Sequence, residues 1–230
     1  MLQLERQQDL LRLLQANKSM TVKELCAALF ASPATVRRDL SALERAGLLT
    51  RSFGGAVLNE AFPDQQPHAV RSVAHVGEKK RLAARAAALV HPGETLFLDA
   101  SSTTFYLVPH LRGIPELTVI TNSPHTCLAL AESGVRSFCT GGELLEGSLA
   151  LVGSDAERYI RGMRAHLVLF SARGVAAGEI TDSSKGERDV KVAMLERAER
   201  RVLLYDSSKE GKQYPYVIGR VAEMTDVILE

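Results

Sequence analysis

Two helix-start signals eleven residues apart constrain the N-terminal part of this 230-residue chain more than any other feature. Thr21 is followed three residues later by Glu24, the reciprocal pair of a capping box, and Met20 and Leu25 stand where a hydrophobic staple packs. Ser32 then precedes Pro33, and proline fits a first helical position because its missing N–H would have no partner there. The interval holds one helix to about Phe30 and a short turn, so two helices follow one another across a sharp bend.

A helix also comes before this pair. Leu4, Leu10, Leu11, Leu13 and Leu14 recur at helical spacing up to Asn17 and Lys18. On the helix from Pro33 to about Ala46, stopped by Gly47, the spacing of Val36, Leu40 and Leu43 puts all three on one packing face. The other side carries Ala34, Arg37, Arg38 and Ser41, with Thr35 near its edge. A start as small as Ser32 and Ala34 lets the helix tip enter a major groove, where two guanidinium groups can serve guanine edges or phosphates. Beyond it, Leu48–Arg51 and Ala56–Leu58 flank Gly54-Gly55, two short strands of a wing whose Arg51 can add a phosphate or minor-groove contact. An isolated Arg-Arg pair is ordinarily a solvated helix face; the surrounding constellation turns the reading toward DNA.

Charge adds little to that reading. The whole chain carries +1, but residues 1–56 hold eight Lys/Arg against five Asp/Glu, giving +3 and leaving −2 for the remainder. No apolar run reaches 18 residues, and the opening MLQLERQQDL has charge where a signal peptide needs its apolar stretch, so a soluble cytosolic protein away from membranes is expected. Cys26, Cys127 and Cys139 are odd in number, far apart and without metal-ligand spacing; buried thiols are expected, with no disulfide, metal or cofactor.

Residues 59–77 have two prolines and no sustained period, as an exposed linker between domains 1–58 and 78–230 would. With 46% of its residues apolar, the chain can bury a core in the longer segment. From Glu78 on, short apolar runs at 95–98, 117–120, 167–170, 202–205 and 227–229 alternate with helical patterns at 78–90, 102–111, 123–132, 155–162 and 185–200. Such alternation predicts an α/β domain with a mostly parallel sheet.

In open parallel sheets ligands bind beyond the carboxyl ends of strands. Asp99-Ala100-Ser101-Ser102-Thr103-Thr104 lies there, with hydroxyls and N–H groups meeting at a helix start, which is chemistry suited to phosphate. Thr121-Asn122 and Gly141-Gly142 end the next two strands, and Asp206-Ser207-Ser208-Lys209 ends another and supplies a cation. Glu187 and Lys191, four apart on a helix, can face one site or form a surface pair.

The string from Ser32 to Leu40, with Thr35-Val36-Arg37-Arg38-Asp39-Leu40 at its centre, together with Gly47-Leu48-Leu49 and Gly54-Gly55-Ala56, resembles the N-terminal signature of the DeoR family of transcriptional regulators. Phe53 departs from it, standing where the family often has histidine. The resemblance extends to the second domain, implying a fold of the sugar-isomerase and CoA-transferase-like kind. The family's Asp-x-Gly-x-Thr-Thr loop matches at Asp99, Thr103 and Thr104, with Ser101 in place of the glycine, and its Glu-x-x-Val-Lys and Ser-Ser-Lys motifs match at Glu187, Val190, Lys191 and at Ser207, Ser208, Lys209. It implies a homo-oligomeric repressor of a carbohydrate-use operon, binding double-stranded operator DNA and a phosphorylated sugar. Two alternatives stand beside it: an activator, and a sugar-phosphate isomerase with Glu187 or Asp99 as base.

Overall fold

Helix starts fall where the capping residues put them. α1 is Gln3–Asn17, α2 Val22–Leu29 and α3 Pro33–Arg45. Thr21 Oγ1 accepts from Glu24 N (3.2 Å) and Glu24 Oε2 accepts from Thr21 N (2.8 Å), completing the capping box. Ser32 Oγ accepts from Thr35 N at 3.3 Å. α2 ends on Phe30, in the left-handed region (φ 49°) and 97% exposed.

This computed structural model describes residues 3–45, 49–52, 54–58 and 68–230, and the chain divides into two compact units, Met1–Ala74 and His75–Glu230. Ala46, Gly47, Leu48 and Phe53 lie outside the described residues. In the first unit, β1 (Ser19–Thr21), β2 (Leu49–Ser52) and β3 (Gly55–Leu58) form an antiparallel sheet in the order β1-β3-β2. β2 and β3 are the expected wing; β1, three residues with no apolar run, has no signal in the sequence. It approaches so closely that a Cβ at Gly55 would collide with the Met20 carbonyl. Leu10, Leu11 and Leu14 of α1, Leu25 and Leu29 of α2, and Val36, Leu40 and Leu43 of α3 close one core with Leu49 and Ala56. Each of the leucine and valine side chains contributes about 1.5–3 kcal/mol on burial.

The linker expectation needs correction. Residues 59–67 lie outside the described residues, but α4 (His68–Val73) is helical, and α5 (Val76–Ala87) begins two residues before Glu78. Val73 joins the N-terminal core, and His68, Arg71 and Ser72 are buried. The helix was hidden because packing, not apolar periodicity, buries its polar side chains.

The second unit is built on six parallel strands: β4 (Thr95–Leu98), β5 (Thr118–Thr121), β6 (Arg136–Cys139), β9 (Ala165–Phe170), β12 (Ala198–Tyr205) and β14 (Asp226–Leu229). Their order, β14-β12-β9-β4-β5-β6, reverses direction between β4 and β9. The apolar runs are continuous because both faces are buried. Phe97, Ile120, Val168, Phe170 and Leu203 pack on one side with residues of α8 (Ser154–Arg161) and α9 (Lys185–Arg197). Leu96, Leu98, Val119, Leu167, Leu169 and Leu204 pack on the other with α5, α6 (Val108–Leu111) and α7 (Pro124–Glu132).

Two small antiparallel sheets lie outside this frame and outside the expectation: β7 (Glu143–Leu145) with β8 (Ala150–Val152), and β10 (Gly174–Ala176), β11 (Glu179–Asp182) and β13 (Tyr216–Arg220). The helix expected over 102–111 is a 3-10 turn, Thr104–Leu107, followed by the single turn of α6. All three cysteines are unpaired and half-buried, not buried. Cys127 and Cys139, 12 apart in sequence, come together, and burial and the nearby Cys127 push the Cys139 thiol up to about 11. None of the described helices is long and apolar enough to cross a membrane.

Candidate functional site

On α3 the two faces separate as the spacing requires. Val36, Leu40 and Leu43 are buried while Ala34, Arg37 and Arg38 are exposed, with Thr35 and Ser41 at intermediate depth. Ser32 closes the tip by its cap on Thr35, and the two hydroxyls lie 2.9 Å apart. Asp39, in the same string as the two arginines, turns inward. It is fully buried and takes a two-point ion pair from Arg6 of α1, which fixes the recognition-type helix against the first helix.

Arg51 on the wing is held to α3. Its Nη1 donates to Ser41 Oγ at 2.9 Å, and its backbone N–H donates to Glu44 Oε1 at 3.1 Å. Ser41 and Arg51 therefore present one edge shared by helix and wing. Phe30, exposed in the turn between α2 and α3, was not singled out from sequence.

In the second unit the expected ligand-binding residues are spread along the carboxyl ends of the strands, with the Asp99 loop where the strand order reverses, the position at which open α/β sheets leave a crevice. Asp99 follows β4 and is fully buried. Its Oδ1 accepts from Ser101 N (3.2 Å) and Thr104 Oγ1 (2.9 Å), and its Oδ2 accepts from Ser171 N (3.3 Å) at the end of β9. Ser101 Oγ accepts from Thr104 N at 3.2 Å. The serine in the glycine position is thus accommodated without left-handed backbone and ties the loop together. Free N–H groups were expected to meet hydroxyls at this helix start; Ser101 and Thr104 instead spend theirs internally, and among the described residues those of Ser102 and Thr103 meet no acceptor.

Lys191 is held from two sides. Its Nζ donates to Asp182 Oδ2 at 2.5 Å and lies 3.6 Å from Asp99 Oδ2, with all three side chains at most 6% exposed. Burial opposes the charge of each, yet the mutual attraction wins: the Lys191 ammonium stays above the usual lysine range, helped also by Asp99 and Glu187, and Asp182 stays below the carboxylate range. Glu187, itself buried, shares the α9 face of Lys191, so the surface-pair alternative does not hold. Asp182 ends β11, a strand with no signal in the sequence, and was missed for that reason.

At the ends of β5 and β6, Asn122 Nδ2 donates to the Leu151 carbonyl at 3.0 Å while its Oδ1, buried, has no partner. Thr140 Oγ1, next to it in register, and Ser148 Oγ in the β7–β8 turn are buried without partners too. Thr121 Oγ1 caps Ser123 N at 3.1 Å. Gly142 takes φ 120°, and a Cβ there would run into the Val152 carbonyl, whereas Gly141 faces open space. The Asp206 turn follows β12: Asp206 is fully buried and Lys209 half-buried close by. Lys79 of α5, almost wholly buried, donates to Ser102 Oγ at 3.2 Å and brings a cation to the β4 loop that sequence spacing gave no reason to choose.

Sequence models of two families match this chain: the DeoR-like helix-turn-helix domain over residues 6–62 and the DeoR C terminal sensor domain over residues 74–230. The uncharacterized HTH-type transcriptional regulator YulB of Bacillus subtilis is 35% identical, covering 99% of this chain and 87% of its own. The lactose phosphotransferase system repressor of Streptococcus mutans is 31% identical (98% and 91%), and the L-fucose operon activator of Escherichia coli is 31% identical (97% and 93%).

Proposed function

Since this chain belongs to the DeoR family of transcriptional regulators, we propose that it represses a carbohydrate-use operon in the cytoplasm, holding operator DNA until a phosphorylated sugar fills the second unit. The observation that carries the sensing half is the set of buried polar atoms without partners at the sheet's carboxyl edge, Asn122 Oδ1 and Thr140 Oγ1, together with the unpaired N–H groups of Ser102 and Thr103 on the β4 loop. Buried polar groups ordinarily find partners; a polyhydroxylated phosphate supplies them. The phosphate lies against Ser101–Thr104, with Lys79 and Lys209 as cations, and the hydroxyls lie toward Thr121, Asn122 and the Gly141-Gly142 turn.

Arg37 and Arg38 read base edges from α3, and Ser32, Ala34, Thr35, Ser41 and Arg51 follow the DNA backbone. One helix-turn-helix covers a short site, so two or more copies bind repeated half-sites as a homo-oligomer. The effector acts by its differential affinity for the DNA-competent and DNA-incompetent states. Turnover is not part of the proposal: Asp99 is committed to Ser101, Thr104, Ser171 and Lys191, and Glu187 faces that same buried ammonium, leaving neither placed as a free base.

The test is a fluorescence titration of the protein on DNA from upstream of its own gene, at two salt concentrations, with and without a panel of sugar phosphates. Saturable, salt-sensitive binding released by one compound supports the repressor. Binding strengthened by the compound overturns release by the effector, and transcription measured with the compound then separates co-repression from activation, the role for which the fucose-operon relative is named. No preference over random DNA overturns the reading.

A further inference from the structure

Outside the residues assigned above, His75, Glu78 and Asp206 bring one imidazole nitrogen and two carboxylate oxygens within 4.8 Å of one another. His75 and Glu78 are three apart at the start of α5 and share a face, with His75 Nδ1 and Glu78 Oε2 at 3.0 Å. Asp206 comes from the end of β12. It is fully buried, and its two oxygens are treated differently: Oδ1 accepts from Ser208 N at 3.1 Å and from the Ser208 hydroxyl, while Oδ2, equally buried, has no hydrogen-bond partner.

A buried carboxylate oxygen without a partner is costly unless something charged meets it. Burial raises the Asp206 pKa, but the Ser208 hydrogen bond and then the charges of Lys209, His75 and Lys79 hold it below the usual carboxylate range. Yet Lys79 Nζ donates to Ser102 Oγ, and neither lysine bonds Oδ2.

We propose that His75, Glu78 and Asp206 bind one divalent transition-metal ion of the zinc, cobalt or nickel class. One nitrogen and two oxygens, with water completing the shell, is a donor set that suits such ions. Metal–ligand bonds of about 2.1 Å set tetrahedral ligand atoms roughly 3.4 Å apart, so His75 and Glu78 at 3.0 Å already have nearly that spacing, and a separation from Asp206 at the 4.8 Å limit must shorten by about 1.4 Å. The imidazole weighs against magnesium or calcium, which take oxygen ligands. Spacing along the chain gives no signal of this cluster, because Asp206 is more than a hundred residues from His75 and Glu78. The site does not depend on the sugar-phosphate reading.

The experiment is calorimetric and visible-absorption titration of the full chain with Co²⁺, beside His75→Asn, Glu78→Gln and a control, His91→Gln, on an exposed histidine elsewhere. Asparagine is chosen because His75 has left-handed backbone (φ 55°), which asparagine tolerates. Expected are one Co²⁺ per chain with d–d absorption, affinity lowered by roughly tenfold or more in the first two variants, and no change in the control. Absence of stoichiometric uptake, or uptake equal in His75→Asn with circular dichroism confirming its fold, overturns the assignment.

Discussion

Asp39, fully buried beneath the exposed face of α3, receives Arg6 of α1 through Nε at 2.5 Å and Nη2 at 3.3 Å. The Thr-x-Arg-Arg-Asp-Leu string therefore divides its charges: two arginines outward, one aspartate inward as the pin between α1 and α3. Asp39→Asn should lower the unfolding midpoint of the N-terminal unit by several degrees. Adding Arg6→Met should recover part of that loss, because removing both partners leaves no orphaned charge. Thermal melts of the two variants check this; a double variant less stable than Asp39→Asn refutes the pin.

Arg38 is exposed beside that pin and its removal should cost the operator, not the fold. Arg38→Ala is expected to weaken operator binding by about tenfold to a hundredfold, with the unfolding midpoint unchanged. Undiminished affinity in an anisotropy titration removes Arg38 from the reading face.

Adjacent glycines should behave differently. Gly142→Ala meets the Val152 carbonyl at φ 120° and should cost about 1–3 kcal/mol in urea unfolding of the α/β unit. Gly141→Ala enters open space and should stay within about 0.5 kcal/mol. Equal effects would show that the β6–β7 turn is not fixed by this contact.

The buried Lys191 cluster sets a pH dependence. Asp182 has a depressed folded pKa, so its contribution is present above the ordinary carboxylate value and lost as pH falls through the folded value below it. Lys191 has a raised one, so its contribution is present below the ordinary lysine value and lost as pH rises through the folded value above it. Lys191→Met should cost about 3–5 kcal/mol at neutral pH. It should also reverse the acid limb: burial then raises the Asp182 pKa, and stability should increase as pH falls from neutrality toward the carboxylate range. Urea midpoints at neutral and mildly acidic pH give the sign.

On the effector side, Asn122→Ala should weaken binding of the active sugar phosphate by about tenfold, and Lys209→Ala should abolish release from the operator, each with DNA affinity near that of the unaltered chain. Calorimetry showing undiminished effector binding in both would place the ligand elsewhere.

Much of this protein was legible as local chemistry. Thr21 with Glu24 and Ser32 with Pro33 fixed two helix starts, because a cap is satisfied within four residues whatever the rest of the chain does. The five apolar runs declared a sheet buried on both faces, and the Asp99–Thr104 string declared its loop. What the sequence could not state was everything that depends on a partner distant along the chain. β1 exists because β3 lies beside it, and α4 because a core takes in Val73. Asp39 reads as one more charge on a polar helix until Arg6 arrives from 33 residues away. Lys191 reads as half of an i,i+4 pair until Asp99 and Asp182 close around it from the ends of two strands. A short-range signal is written in spacing; a buried charge is neutralised by whatever the fold brings to it, and only the tertiary structure decides what that is.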